Sequence, residues 1–408
     1  MFTKNQLKKY FSLVLKIGVN LQKGQELVVF SPVECADTTR LLVETAYKEG
    51  ASLVRVKWED EQVNRLNYLY ADIDALSEVP EFMVKEKDYM LDKKVAYIAI
   101  DAEDPNIYKG VDEKRLAICA KKRGIAFKKW REATMNNEIR WCVCSLPTLA
   151  WAKQVFPNSK TPLKDLTVKI KETMRLDSKN PVKAWEQHLK RLNKRANFLN
   201  KQNFEYLEFK NALGTDLRVG LAKDHLWLAA EETAKDNIKF TANIPTEEIF
   251  TCPHAFKVDG VLKNALPLVH QGNIIDNFSI TFKDGKVTDF SAEKGYETLK
   301  ELIETDEGTY RLGEVALVPK SSPIAKQKIL YFNTLFDENA SSHLAIGKAY
   351  PTTVKNGSNL SKEELVKLGV NDSTEHVDFM IGTSDLSVVG VKKSGERITI
   401  FTDGDFVI

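Results

Sequence analysis

Apolar residues in the first half of the chain switch between two periods. Leu7, Phe11, Val14 and Ile17 recur every three or four positions, which predicts a helix with Thr3 as its N-cap and Gly18 as its stop. Gly24 then precedes a short apolar run, and 26–30 is predicted to be a strand. A helix follows over 38–49, closed by Gly50. Strands are predicted over 52–56, 95–100 and 140–144, with a helix over 111–123. Strands alternating with helices predict a parallel, wound α/β sheet. No phosphate-binding glycine fingerprint follows any of these strands, which argues against a nucleotide site of the usual kind. The acidic run Asp101-Ala102-Glu103-Asp104 after the third strand is either a solvated loop or a site at a strand's carboxyl end.

The texture changes twice further on. Residues 160–203 hold twelve Lys or Arg against four Asp or Glu, and Trp185, Leu189, Leu192, Ala196 and Leu199 keep a helical period. This predicts a basic amphipathic helix, with nucleic acid or acidic lipid as the sharp reading of its charge. The favoured reading is a surface helix joining two domains, because nothing elsewhere reinforces a nucleic-acid site. From about residue 204 short strands and turns take over. Asp284-Gly285, between strands 278–282 and 286–290, is a strong hairpin signal, and 294–304 reads as a helix. Segments 387–391, 398–401 and 406–408 read as antiparallel edge structure. The chain is thus expected to divide into an N-terminal wound α/β domain, 1–203, and a β-rich α+β domain, 204–408.

Composition narrows the class. A net charge of +2 leaves no global field that demands nucleic acid or membrane. No apolar stretch long enough to span a bilayer is present, and lysines at 4, 8, 9, 16 and 23 interrupt any signal-like core. Five scattered cysteines argue against a disulfide framework and for a reducing compartment, so a cytoplasmic location is expected. Cys142 and Cys144 read as buried thiols on one face of a strand rather than a metal pair.

The candidate chemistry lies in the second half. Only six histidines occur, and two of them, His343 and His376, fall among Glu248, Glu314, Glu338 and Asp378. His376 and Asp378 are two apart, which puts both on one face of an extended strand. Two imidazoles and several carboxylates suffice to hold two divalent ions in a hydrolytic site. Glu248 and Glu314 precede apolar runs, where an unpaired buried carboxylate is costly and a metal removes that cost. Glu338, in Asp337-Glu338-Asn339, is either a ligand or an acid at a helix N-terminus. His188, His225, His254 and His270 are assigned no chemistry, and Gly260 is expected to form a tight turn behind Glu248.

Several motifs occur in order: Ile244-Pro245-Thr246-Glu247-Glu248-Ile249-Phe250, Gly313-Glu314-Val315-Ala316, Phe336-Asp337-Glu338-Asn339-Ala340-Ser341-Ser342-His343, Gly347-Lys348-Ala349-Tyr350 and Glu375-His376-Val377-Asp378. Together with Gly18–Gln25 they make the whole chain resemble the aminopeptidase T and aminopeptidase S family of metallopeptidases. The resemblance implies a homodimeric exopeptidase with two divalent ions per chain, zinc foremost, with cobalt, magnesium or manganese also accommodated. It implies Glu248, Glu314, Glu338, His343, His376 and Asp378 as ligands and Tyr350 as a residue lining the site. A general base is still required, and Glu247 and Glu314 are both candidates. The substrates expected are peptides with a free N-terminus. Another dimetal hydrolase, such as a phosphoesterase, is the runner-up; Lys320 and Lys348 are the only cations close to the motifs. A binding protein that uses the basic 160–203 helix leaves the six-residue set unexplained.

Overall fold

The computed structural model describes residues 1–270 and 273–408. The chain folds as an α/β protein of two compact units. One comprises Met1–Gln187 with Glu231–Pro245, the other His188–Ala230 with Thr246–Ile408.

The first unit is built on a parallel sheet of β1 (Glu26–Pro32), β2 (Leu53–Glu59), β3 (Ala96–Asp101) and β4 (Trp141–Ser145). From one edge the order is Asn243–Ile244, β4, β3, β1, β2, and every neighbouring pair is parallel. The apolar run Leu27-Val28-Val29 lies buried, as a parallel strand covered on both faces requires. Val28, Phe30 and Tyr97 pack on Met90 and Trp130, which belong to helices Glu81–Asp92 and Lys128–Met135. The opening helix, Lys4–Leu13, begins with a capping box between Thr3 and Gln6 and widens into a π-helical turn over Val14–Gly18. Gly18 ends it against the strand: a Cβ there would sit 2.7 Å from the Cys142 sulfur. Cys142 and Cys144 are buried free thiols, as the strand reading expects.

The predicted basic helix is real and spans Pro181–Gln202, with its periodic face, Trp185, Leu189, Leu192, Ala196 and Leu199, buried. Each such large apolar side chain contributes about 1.5–3 kcal/mol on full burial.

The second unit holds two antiparallel sheets. The larger includes the pairs Phe204–Lys210 with Asp216–Leu221 and Asn273–Lys283 with Lys286–Lys294. The second of these hairpins turns at Asp284 and Gly285, both at positive φ, as the Asp-Gly signal predicts. The smaller sheet carries most of the candidate site residues. Its order is His376–Met380, His343–Gly347, Leu312–Leu317, Ile249–Thr251, Leu228–Ala229. Gly260 corrects an expectation. It makes no turn but lies inside the strand Pro253–Lys263, paired on both sides, where a Cβ would come within 2.2 Å of the Asp216 carbonyl. Close strand approach, not chain reversal, requires the glycine.

Candidate metal centre

Register in the smaller sheet gathers residues far apart in sequence. Ala345 stands opposite Glu314 on one neighbour and Asp378 on the other. Directly opposed residues share a face, so these three point the same way. Two-residue steps add His343 from the central strand and His376 from the edge strand. Phe250 pairs with Ala316, which adds Phe250 and Glu248, two residues earlier, to the same side. Two of the positions on this face are alanines, Ala316 and Ala345, and they leave room above the sheet.

A bulge sets the alignment. Leu312 pairs with Ile346 while Glu314 pairs with Ala345, so Gly313 is an extra residue that rotates the strand. A Cβ on Gly313 would lie 2.4 Å from the Gly347 carbonyl, so only glycine fits. The bulge brings the Glu314 side chain to the Ala345 position on the shared face.

One oxygen of each of Glu248 and Glu314 and one imidazole nitrogen of His343 lie within 4.8 Å of one another. His343 Nε2 is 3.1 Å from Glu248 Oε2, 3.7 Å from Glu314 Oε1 and 3.9 Å from Asp378 Oδ1. His376 Nε2 is 3.5 Å from that same Asp378 oxygen and 3.7 Å from Glu314 Oε2. Glu314 therefore shows a different oxygen to each imidazole. Each imidazole is oriented from behind: Nδ1 of His343 donates to the Ser341 carbonyl at 3.1 Å and Nδ1 of His376 to the Lys348 carbonyl at 2.6 Å. A carbonyl only accepts, so both rings carry their proton on Nδ1 and offer the Nε2 lone pair to the carboxylates when neutral.

The electrostatics are severe. Burial, followed by the charges of Glu248 and Asp378, pushes the Glu338 carboxyl well above the usual carboxylate range. Glu314 is also raised, by burial first, against the opposing pull of His343. Burial alone would lower both histidines, but the carboxylates override it; His343 rises well above its ordinary value and His376 to about 10. Asp378 moves the other way: burial raises it, but His376 and His343 together hold it below its ordinary value. Even so, Glu248 Oε2 and Asp378 Oδ1 are buried without a properly oriented hydrogen bond. His343 Nε2 lies only 3.1 Å from the first of them, so what is missing there is orientation rather than proximity. Carboxylate oxygens crowded around two imidazoles held in the ligating tautomer fit a cation that replaces the imidazole protons: N and O donors of this kind suit zinc, manganese, magnesium and related divalent ions.

Glu338 follows the short helix Thr334–Asp337, in the 3-10 turn Glu338–Ala340. The helix-terminal role falls to its neighbour, since the Asp337 carboxylate accepts from the backbone N–H of Tyr331 at 2.7 Å and of Asn333 at 3.0 Å. Tyr350 packs its ring against His376, with centroids 5.0 Å apart, and against Phe250 at 6.2 Å. Glu247 turns to His188, whose Nε2 is 3.5 Å from its carboxylate and 2.8 Å from the Thr246 carbonyl. Asn339 fixes this corner by accepting the Glu247 backbone N–H at 2.7 Å. His188 and Asn339 escaped the sequence reading. Neither sits at a diagnostic spacing, and their roles depend on contacts 59 and 92 residues along the chain.

The two cations that flank the motifs are engaged elsewhere. Lys348 faces Asp372 at 3.8 Å and Lys320 donates to the Ser384 carbonyl at 3.1 Å. Neither is arranged as a phosphate clamp.

Comparison with known proteins finds relatives over the whole chain. Aminopeptidase 2 of Geobacillus stearothermophilus is 43% identical over 99% of this chain and 98% of its own length. Aminopeptidase AmpS of Bacillus subtilis is 41% identical over 98% of both. The structure of wild-type AmpT from Thermus thermophilus superposes with a TM-score of 0.93 at 36% identity, covering 99% of this chain and 100% of that one. Residues 3–406 match the thermophilic metalloprotease (M29) family, and the chain belongs to it.

Proposed function

We propose that the six residues Glu248, Glu314, Glu338, His343, His376 and Asp378 hold two divalent ions, with zinc foremost and cobalt, magnesium or manganese as alternatives. The activity is metal-dependent removal of N-terminal amino acids from peptides, the activity named for its relatives. The observation that carries the dinuclear reading is Glu314, which offers one oxygen to each of two imidazoles. Charge count supports it: four carboxylates, Glu248 and Glu314 buried and Glu338 and Asp378 half-buried, balance two dications when both imidazoles are neutral.

Bound ions supply a water of lowered pKa and a Lewis acid for the scissile carbonyl. The chain does the rest. The Ser341 and Lys348 carbonyls hold both imidazoles in the ligating tautomer. Ala345 and Ala316 keep the space clear. Tyr350, steadied by Phe250 and His376, is the donor for the oxyanion. Glu247 remains a candidate base beside Glu314, and the His188 imidazole gives it a partner through which to hold a proton. The reading keeps the enzyme in the cytoplasm, supported by five free buried cysteines, and as a homodimer, which sedimentation tests. Among the described residues no helix is long and apolar enough to cross a membrane.

The test is exhaustive chelation, followed by titration with zinc, cobalt or manganese while leucine arylamide hydrolysis is followed. Loss and recovery of activity at about two ions per chain is expected, with no cleavage of the N-acetylated arylamide. An unchanged rate after chelation would sink the metal assignment. Full activity at one ion per chain would sink the dinuclear one, and turnover of a phosphate monoester would favour the runner-up.

A further inference from the structure

The acidic run at the end of β3 takes no part in the peptidase chemistry, yet it borders a cavity of about 330 Å³ in the first unit. Its walls include Phe30 near the end of β1, Glu59 at the end of β2 and Asp101 at the end of β3. The strand order makes this place distinctive. From β1 the chain moves outward to β2, then returns to lay β3 on the opposite side of β1. Connections leaving β1 and β3 part in opposite directions, and a crevice opens at their carboxyl ends. In open parallel sheets this is where ligands bind.

The lining has two chemistries. The inner wall is aromatic: Tyr97 meets Phe30 edge-on at 5.9 Å and Trp130 at 5.2 Å. The rim is acidic, with Glu59, Asp101 and Glu103. Among the described residues the one cation in the lining is Lys87, and its ammonium rests 4.1 Å from the Phe30 ring centre and 4.6 Å from that of Trp130. The neighbouring Lys57 is paired with Glu86. Three carboxylates against one ammonium repel anions. An aromatic wall is of little use to a hydrated inorganic ion, but it suits an organic cation, which gains both ring-face attraction and apolar contact.

We propose that this crevice binds a small organic cation, an ammonium carried on an alkyl chain, with its stem on the rings of Phe30 and Trp130 and its charge against Asp101 and Glu103. Lys87 is a tethered stand-in for that ligand, since its side chain is itself a butylammonium held in the aromatic cage. Burial lowers the Lys87 ammonium from its ordinary value. Burial, then Asp101 and Glu59, raises the Glu103 carboxyl to about 7, although water reaches this residue at the rim. The site therefore holds its own charges against resistance, and an added cation relieves the acidic side. The same head group occurs on free diamines and on lysine side chains of peptides. None of this depends on the metal centre.

The experiment is calorimetric titration of the full chain with 1,4-diaminobutane and, separately, with Nα-acetyl-lysine amide, whose blocked amine keeps it from being an aminopeptidase substrate. n-Butanol is the uncharged control. Saturable binding to the wild type is expected. It should be several-fold tighter in Lys87→Met, which removes the resident competitor, and at least about tenfold weaker in the double variant Asp101→Asn, Glu103→Gln, while butanol gives no saturable heat. Leucine arylamide hydrolysis should be unchanged in every variant. Tighter binding of the lysine amide identifies a peptide side chain as the source of the cation, and tighter binding of the diamine a free amine. If Lys87→Met does not fold, the wild type against the acid-neutral variant still decides. The proposal is overturned by absence of saturable binding to the wild type, or by affinity that the loss of both carboxylates leaves unchanged.

Discussion

Two places in this molecule gather carboxylates at strand ends and faces, and they do opposite things with them. On the smaller antiparallel sheet, Glu248, Glu314 and Asp378 converge beneath the surface beside two imidazoles whose protons are fixed on the far nitrogen. At the carboxyl edge of the parallel sheet, Glu59 and Glu103 line an open rim beside aromatic rings on which the Lys87 ammonium rests. In the first place the carboxylates crowd around two imidazoles and two of their oxygens lack a donor of good geometry, an arrangement that fits a metal ion. In the second, water screens the acids and the aromatic wall selects for a cation with a carbon stem. Residue type alone does not decide the chemistry; burial and the neighbouring group do.

The comparison breaks most decisively at His376. On the proposed assignment His376→Ala removes a ligand rather than a residue that merely supports one, whose loss typically costs 10–100-fold. Hydrolysis of leucine arylamide should fall by more than about 100-fold, with metal content reduced and the circular dichroism spectrum retained. Asp101→Asn, at the other acidic place, should leave that rate alone. An active, metal-poor His376→Ala enzyme would mean that the buried cluster is not the catalytic centre.

How far the sequence revealed this depends on where the determining contacts lie. Local signals were legible: Thr3 as a cap, Asp284-Gly285 as a hairpin, and the alternation that yields β1 to β4. The candidate site residues were legible as types and motifs, and the sheet brings Glu248, Glu314, His343, His376 and Asp378 together. What escaped was register. The shared face needs the Gly313 bulge and the pairing of Ala345 with both Glu314 and Asp378, and no local pattern encodes either. Helices Glu61–Tyr70 and Glu81–Asp92 also escaped, because they bury little more than Tyr68 and Met90 and so lack a full apolar stripe. The second of them supplies Lys87. Gly260 was misread as a turn because a strand glycine that yields to a neighbouring backbone has the same local appearance.

Ala345 sharpens the comparison by asking what the buried space is for. Its side chain lies fully buried between Glu314 and Asp378. Ala345→Val adds two methyl groups where the ions are proposed to sit. Overpacking of this kind costs about 1–3 kcal/mol. The variant should melt earlier and bind less metal, and its activity should fall in proportion to metal lost. If the valine enzyme keeps full metal content and activity, the space above Ala345 is not the seat of the ions.

The smallest expected effect tests the open rim. Glu103 has its carboxyl raised to about 7, against about 4.3 for a free glutamate. The groups around it are Asp101 on its own segment, Glu59 from β2, Glu61 from the helix Glu61–Tyr70 and the Tyr108 hydroxyl. A raised carboxyl is neutral below about pH 7 and charged above it. Affinity for 1,4-diaminobutane should therefore rise several-fold from about pH 6 to about pH 8, and Glu103→Gln should flatten the profile. Stability carries the opposite sign. The unfolded chain ionises this group first, so its contribution falls as pH rises from about 4.3 and levels off above about 7. Calorimetry at three pH values on the wild type and Glu103→Gln separates the two. An affinity that stays flat in the wild type, or falls as the pH rises, would mean that Glu103 does not face the bound cation.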